Sequence, residues 1–208
     1  MSQGGTAMYA RLPDGHVPPL VARAVAAAND LGFELSVHPA TGRLLQSLAG
    51  GVQPGGLIGE TGTGTGVGLA WMASSAHPGV RLLSIEIDAD RAAAAQTVFV
   101  DTPNVTVLCG DARELYEHGP FHLLVFDGGW GSAKAGDAPV GVAEVLVDGG
   151  LLTVDDFSPM TTWPPRFHGE LDRGRHYWLT HPEMLATEIA VAPDMAVVIA
   201  RRTAGLQN

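Results

Sequence analysis

Lysine is almost missing from this chain. Lys134 is the only one, and 12 lysines and arginines face 22 aspartates and glutamates, a formal net charge of -10. A surface that tracks phosphates needs the opposite balance, so no nucleic acid is expected as a partner. Cysteine is also down to one, Cys109, which excludes an intrachain disulfide and points to the cytoplasm. No uncharged apolar run is long enough to span a bilayer, and the first residues lack a basic stretch followed by an apolar core. No membrane anchor or targeting segment is therefore expected. There is no HExxH and no cysteine cluster, which argues against zinc, and no GxSxG elbow marks a hydrolase.

What remains is 208 residues of which 46% are hydrophobic, enough for one packed domain. Residues 1–16, with Gly4, Gly5, Pro13 and Gly15, show little periodicity and read as a loose or partner-held arm. Pro18 and Pro19 open a helical stretch to Asn29, closed by Gly32, and a second helix is expected over 39–49. Residues 1–36 thus form an arm and helix ahead of a domain over 37–208. From Gly56 the pattern alternates. Strands are expected at 57–60, 81–87, 105–109, 122–126 and 151–154, with helices over 67–76, 89–100 and 140–147. Two last strands, 185–192 and 195–200, turn at Pro193-Asp194. Repeated βα units imply an α/β fold with a parallel sheet.

The most informative stretch is Leu57-Ile58-Gly59-Glu60-Thr61-Gly62-Thr63-Gly64-Thr65-Gly66, an apolar run that ends in a carboxylate and breaks into alternating glycines. It reads as a strand delivering a ligand loop to a helix N-terminus. The dinucleotide fingerprint G-x-G-x-x-G fails on spacing: its last position falls on Val67 counted from Gly62, and on Leu69 counted from Gly64. What fits is acidic-x-G-x-G-x-G, headed by Glu60. Glu86, 20 residues beyond Gly66, ends the next strand beside this loop, where a carboxylate can accept both ribose hydroxyls.

The glycine pattern resembles the first motif of class I methyltransferases that use S-adenosyl-L-methionine. That resemblance implies a Rossmann-like, mostly parallel seven-stranded sheet ending in an antiparallel hairpin, with helices on both faces, over roughly residues 37–202. It also implies that Glu60 reaches the methionine end of the cofactor, with Gly62, Thr63, Gly64 and Gly66 leaving room for it. Glu86 and Ile87 would lie at the ribose, and Asp111-Ala112 would frame the adenine. Asp111 reads equally as a helix cap, and Trp130 reads either as an adenine wall or as packing. The segment Leu-Ser-Val-His-Pro-Ala-Thr-Gly-Arg-Leu-Leu around His38 is similar to the lead-in of catechol-type O-methyltransferases, which packs over the cofactor.

Asp127, Asp155 and Asp156 should emerge together at the carboxyl edge of neighbouring strands, an outline that suits a hard cation such as magnesium or calcium. They occupy the places of the metal ligands in the catechol and caffeoyl-CoA O-methyltransferases. Those enzymes also carry a lysine three residues after the first metal aspartate, whereas Trp130 stands there in this chain. Lys134 is the nearest amine and reads either as a displaced base or as a solvated loop residue. His168 and His176 are the other base candidates, in an aromatic and histidine-rich stretch, 157–182, expected to lid the acceptor pocket. The leading expectation is methyl transfer to a small-molecule acceptor, through oxygen and with a divalent cation assisting. A homodimer is expected because related enzymes are often dimers. An aminopropyl transferase of the spermidine synthase type and a non-catalytic cofactor-binding scaffold stay open as alternatives.

Overall fold

The computed structural model describes residues 5–13, 15–134 and 136–203. Helix α1, Gly5–Tyr9, is followed by α2, Pro19–Asp30, and α3, Pro39–Gly50. Both longer helices begin on proline, whose fixed φ suits the first turn and whose missing N–H costs nothing there. His38 caps α3, its Nδ1 accepting the Ala40 N–H at 3.1 Å, which gives this histidine a structural role.

The alternating pattern then folds as β1 (Leu57–Thr61), α4 (Val67–Ala73), β2 (Arg81–Glu86), α5 (Ala89–Val98), β3 (Val105–Cys109), α6 (Ala112–Tyr116) and β4 (Phe121–Phe126). After β4 come α7 (Val142–Val145) and β5 (Leu146–Phe157). The chain continues with β6 (Arg166–Phe167), β7 (Glu170–Leu171), α8 (Arg173–Thr180), β8 (Met184–Ala192) and β9 (Met195–Arg202). Seven strands form one sheet in the order β3-β2-β1-β4-β5-β9-β8, parallel except at β9 and β8, as expected. The strands β6 and β7 pair with each other alone.

Helices cover both faces, and the side-chain alternation of β4 shows why: Leu123 and Val125 join one core with Val21, Leu45, Leu69 and Trp71, while Leu124 and Phe126 join another with Leu115, Leu152 and Trp178. β1 is buried at all five positions because it lies between β2 and β4. From β1 the chain winds outward through β2 and β3, then returns to build β4 and β5 on the other side. The switch point lies at the carboxyl ends of β1 and β4, where open α/β sheets bind ligands.

Two expectations are corrected. The arm is not loose where it is described: in α1, Thr6 donates to the Phe33 carbonyl at 2.7 Å and Tyr9 donates to the Val37 carbonyl at 2.9 Å. Tyr9 in turn accepts the Trp71 indole N–H at 2.9 Å, so one aromatic hydroxyl fastens the helix to the core. Gly4 lies outside the described residues. The helix expected over 140–147 is a single turn, since Leu146 already pairs with Phe121 as the start of β5. The 157–182 stretch contains a hairpin and a helix, α8, which opens on the Asp172 cap. No helix among the described residues is long and apolar enough to cross a membrane.

Candidate active site

The glycine loop leaves β1 between two backbones. Gly62 has φ +84°, and a Cβ there would stand 2.8 Å from the Gly128 nitrogen, so neither conformation nor space admits a side chain. Gly66 is the left-handed N-cap of α4. The loop is tied from below: Thr63 Oγ1 and Ser84 Oγ share a hydrogen bond of 2.6 Å, and the Gly64 N–H donates to Glu86 Oε2 at 2.7 Å. These contacts hold open a cavity of about 310 Å³ at the switch point.

Gly62, Thr63, Gly64, Glu86, Ile87, Asp111, Ala112, Asp127 and Trp130 all line this cavity, whereas Glu60 and Gly66 do not. Glu60 is set back beneath the loop and 1% exposed. Its Oε2 accepts the Ser84 hydroxyl at 2.6 Å, and its Oε1 has no partner among the described residues. That oxygen faces Gly68, where a Cβ would meet it at 2.5 Å. Burial pushes the Glu60 carboxyl up to about 8; the Ser84 bond lowers it, and the charges of Asp155 and Glu86 add to the rise. Glu60 therefore carries a proton over much of the neutral range and supports the loop from behind.

Glu86 lies on the wall but is heavily engaged. Its Oε1 accepts the Asp88 N–H at 3.0 Å and two guanidinium N–H groups of Arg91 at 3.2 and 2.8 Å, leaving Oε2 as the freer oxygen. The Arg91 guanidinium also lies 5.3 Å from the Phe33 ring centroid. Phe33 and Arg91 are lining residues that the sequence reading missed. Arg91 was recoverable, since it stands three residues into the helix capped by Asp88, a short reach back to Glu86. Asp111 combines both of its expected positions: it lines the cavity and caps α6 in a capping box with Glu114. The Arg113 side chain, at 2.8 Å from each Asp111 oxygen, holds that carboxyl well below the usual range.

The three aspartates do meet. Ligand oxygens of Asp127, Asp155 and Asp156 all lie within 4.8 Å of one another. Adjacent residues of a strand normally point to opposite faces, and a bulge is what brings Asp155 and Asp156 together. Between the pairs Val154↔Val198 and Phe157↔Ala196, β5 carries one more residue than β9, and Asp156 there adopts φ +58°. Asp155 is buried and Asp156 exposed. The carboxyls of Asp127 and Asp155 are both raised, by desolvation first and then by neighbouring acidic groups. Asp155 Oδ1 is buried with no hydrogen-bond partner among the described residues. An oxygen-only donor set with an orphaned buried oxygen and mutual repulsion fits a hard divalent cation.

Lys134 reaches this cluster. Its Nζ donates to the Asp155 carbonyl at 2.7 Å and lies 3.7 Å from Asp156 Oδ2. A second cavity of about 390 Å³ opens beyond it, lined by Lys134, Asp156, Phe157, Phe167, Leu171 and Arg175. His168 and His176 line neither cavity. His168 sits at φ +50° in the β6–β7 turn, and His176 stacks on Trp163 with centroids 5.7 Å apart.

A family model described as a methyltransferase domain matches residues 60–157, from the head of the glycine motif to the end of β5. No curated protein matches the chain by sequence. Among solved structures, the O-methyltransferase TomG from Streptomyces achromogenes, involved in tomaymycin synthesis and solved with SAM, superposes with a TM-score of 0.72 at 19% identity, over 98% of this chain and 100% of that one. An O-methyltransferase from Bacillus cereus in complex with SAH gives 0.71 at 18% identity, over 95% and 98%. A methyltransferase from Geobacter sulfurreducens gives 0.67 at 21% identity, over 96% and 95%. At these identities the neighbours speak for the fold. Residues 60–157 match a methyltransferase-domain model, and the whole chain has the Rossmann-like fold of these solved methyltransferases.

Proposed function

We propose that this protein is a cytoplasmic O-methyltransferase that binds S-adenosylmethionine in the first cavity and a small-molecule acceptor in the second, with a divalent cation at Asp127, Asp155 and Asp156. The observation that carries this reading is the aspartate and lysine cluster at the junction: Asp127 lines the first cavity, while Asp156 and Lys134 line the second. Structural neighbours named as O-methyltransferases agree with it.

Methyl transfer is an in-line displacement, so the enzyme's main task is to hold the nucleophile aligned with the breaking bond. Bound in the first cavity, S-adenosylmethionine supplies the electrophilic methyl group. Gly62 and Gly64 let the backbone approach the cofactor, Glu86 Oε2 takes a ribose hydroxyl, and Ala112 and Trp130 bound the adenine. The acceptor hydroxyl must also lose its proton. Asp127, Asp155 and Asp156 would hold a divalent cation, which would make such a hydroxyl more acidic. Lys134 is the amine available to take the proton, standing seven residues after Asp127 where related enzymes have a lysine at three.

Calorimetric titration of magnesium into protein saturated with S-adenosylhomocysteine tests both cavities. Saturable binding that Asp155→Asn and Asp156→Ala abolish is the expected result. Failure to bind the homocysteine product would overturn the cofactor assignment, and product binding without magnesium binding would leave a metal-independent transferase.

A further inference from the structure

Arg175 is an unusual residue to find at the base of an acceptor cavity. Its side chain is 2% exposed, yet its guanidinium ties together three separate segments. Nε donates to Asp172 Oδ2 at 3.1 Å, the cap of its own helix, and Nη1 donates both to Glu188 Oε2 in β8 at 2.9 Å and to the Ser158 carbonyl just after β5 at 2.8 Å. Glu188 extends the network, because its Oε1 accepts the Met160 N–H at 2.6 Å. The chain leaving the Asp155-Asp156 bulge is thus gripped at two backbone groups.

The same guanidinium lies 4.6 Å from the Phe157 ring centroid, and Lys134 Nζ lies 5.3 Å from that ring. One aromatic ring therefore serves both cations, and the residue before it, Asp156, holds the strained φ of the bulge. Burying an arginine costs free energy that its ion pairs only partly return, and an apolar side chain would pack as well if stability were the sole purpose. What the arginine adds is direction, through donors fixed in one plane.

We propose that Arg175 is a positioning residue for the acceptor side: it fixes Phe157 and Ser158, and through the Phe157 ring it holds Lys134 at the Asp155 carbonyl. The consequence for catalysis rests on the proposed role of Lys134, but the positioning itself can be read without any acceptor or metal. Lys134 is the only lysine, so protein grown with 13C-lysine gives a single side-chain spin system. In the native protein its ε-methylene protons should be shifted upfield by the Phe157 ring.

Arg175→Met should move that resonance to the position of an unconstrained lysine. Glu188→Gln, which weakens the arginine's anchor and keeps its shape, should give an intermediate value and serves as the comparison if Arg175→Met does not fold. A Lys134 resonance unchanged in the folded variants would overturn the proposal and reduce Arg175 to a packing residue. Magnesium added to the same native sample tests the cation reading separately: a resonance that does not respond counts against the metal and leaves the Arg175 comparison intact.

Discussion

Glu60 heads the glycine motif, and its burial makes it a stability switch. Its folded pKa of about 8 lies above the ordinary 4.5, so the folded chain holds this proton more tightly than the unfolded chain. That contribution is full below the unfolded value and is lost as pH rises through the folded one. Stability should therefore fall between about pH 4.5 and 8, with a limiting slope of roughly 1.4 kcal/mol per pH unit. Glu60→Gln removes this titration and should make the fall shallower by that amount, leaving what Asp127 and Asp155 contribute, whose shifts have the same sign. Urea unfolding at several pH values checks it, and an unaltered slope in the variant would mean that Glu60 is ionised throughout. Gly62 offers a test of another kind. Gly62→Ala places a methyl against the Gly128 backbone at a positive φ, so it should cost about 1–3 kcal/mol and weaken S-adenosylhomocysteine binding at least tenfold. Calorimetry of the folded variant would show whether binding survives.

The element that matters most is the end of β5, where a one-residue bulge turns two adjacent carboxylates toward one cluster. Strain and chemistry can be separated there. Asp156→Gly relieves the positive φ and should keep or slightly raise the melting temperature, worth about 0.5–1 kcal/mol, while abolishing the magnesium response. Asp156→Asn keeps the strain and should lose most of that response too. A glycine variant that still binds magnesium would remove Asp156 from the cation site. The carboxylates were legible in the sequence because they end apolar runs, and a strand end fixes where its next side chain emerges. Lys134 was not, since its reach to Asp155 depends on how residues 128–134 fold back, which no periodicity encodes. Helix α8 was hidden by Gly174, a poor helix former that is needed there because a Cβ would stand 2.5 Å from the Ala133 carbonyl. The short α7 misled in the opposite direction, since its buried valines serve a single turn as well as they would a longer helix.

At the scale of the whole molecule, helix α1 and the first cavity form one mechanical unit. Residues 1–16 offer few apolar positions, so the docking of Gly5–Tyr9 was not legible; it depends on Tyr9, whose hydroxyl joins Val37 on the cavity wall to Trp71 in the core. Thr6 adds a second tie to Phe33 and Ser36, which also line the cavity. Because α1, α2 and the first strand share one apolar core, the arm should unfold with the sheet in a single transition. Tyr9→Phe leaves the indole N–H and the Val37 carbonyl without their partner in a buried place, at a cost of about 1–3 kcal/mol. If the arm also shapes the cavity, the variant should bind S-adenosylhomocysteine more weakly, and the melting temperature gained on adding the product should be smaller than in the native protein. Equal gains in both proteins, on a lowered baseline, would confine Tyr9 to core packing and detach the arm from cofactor binding.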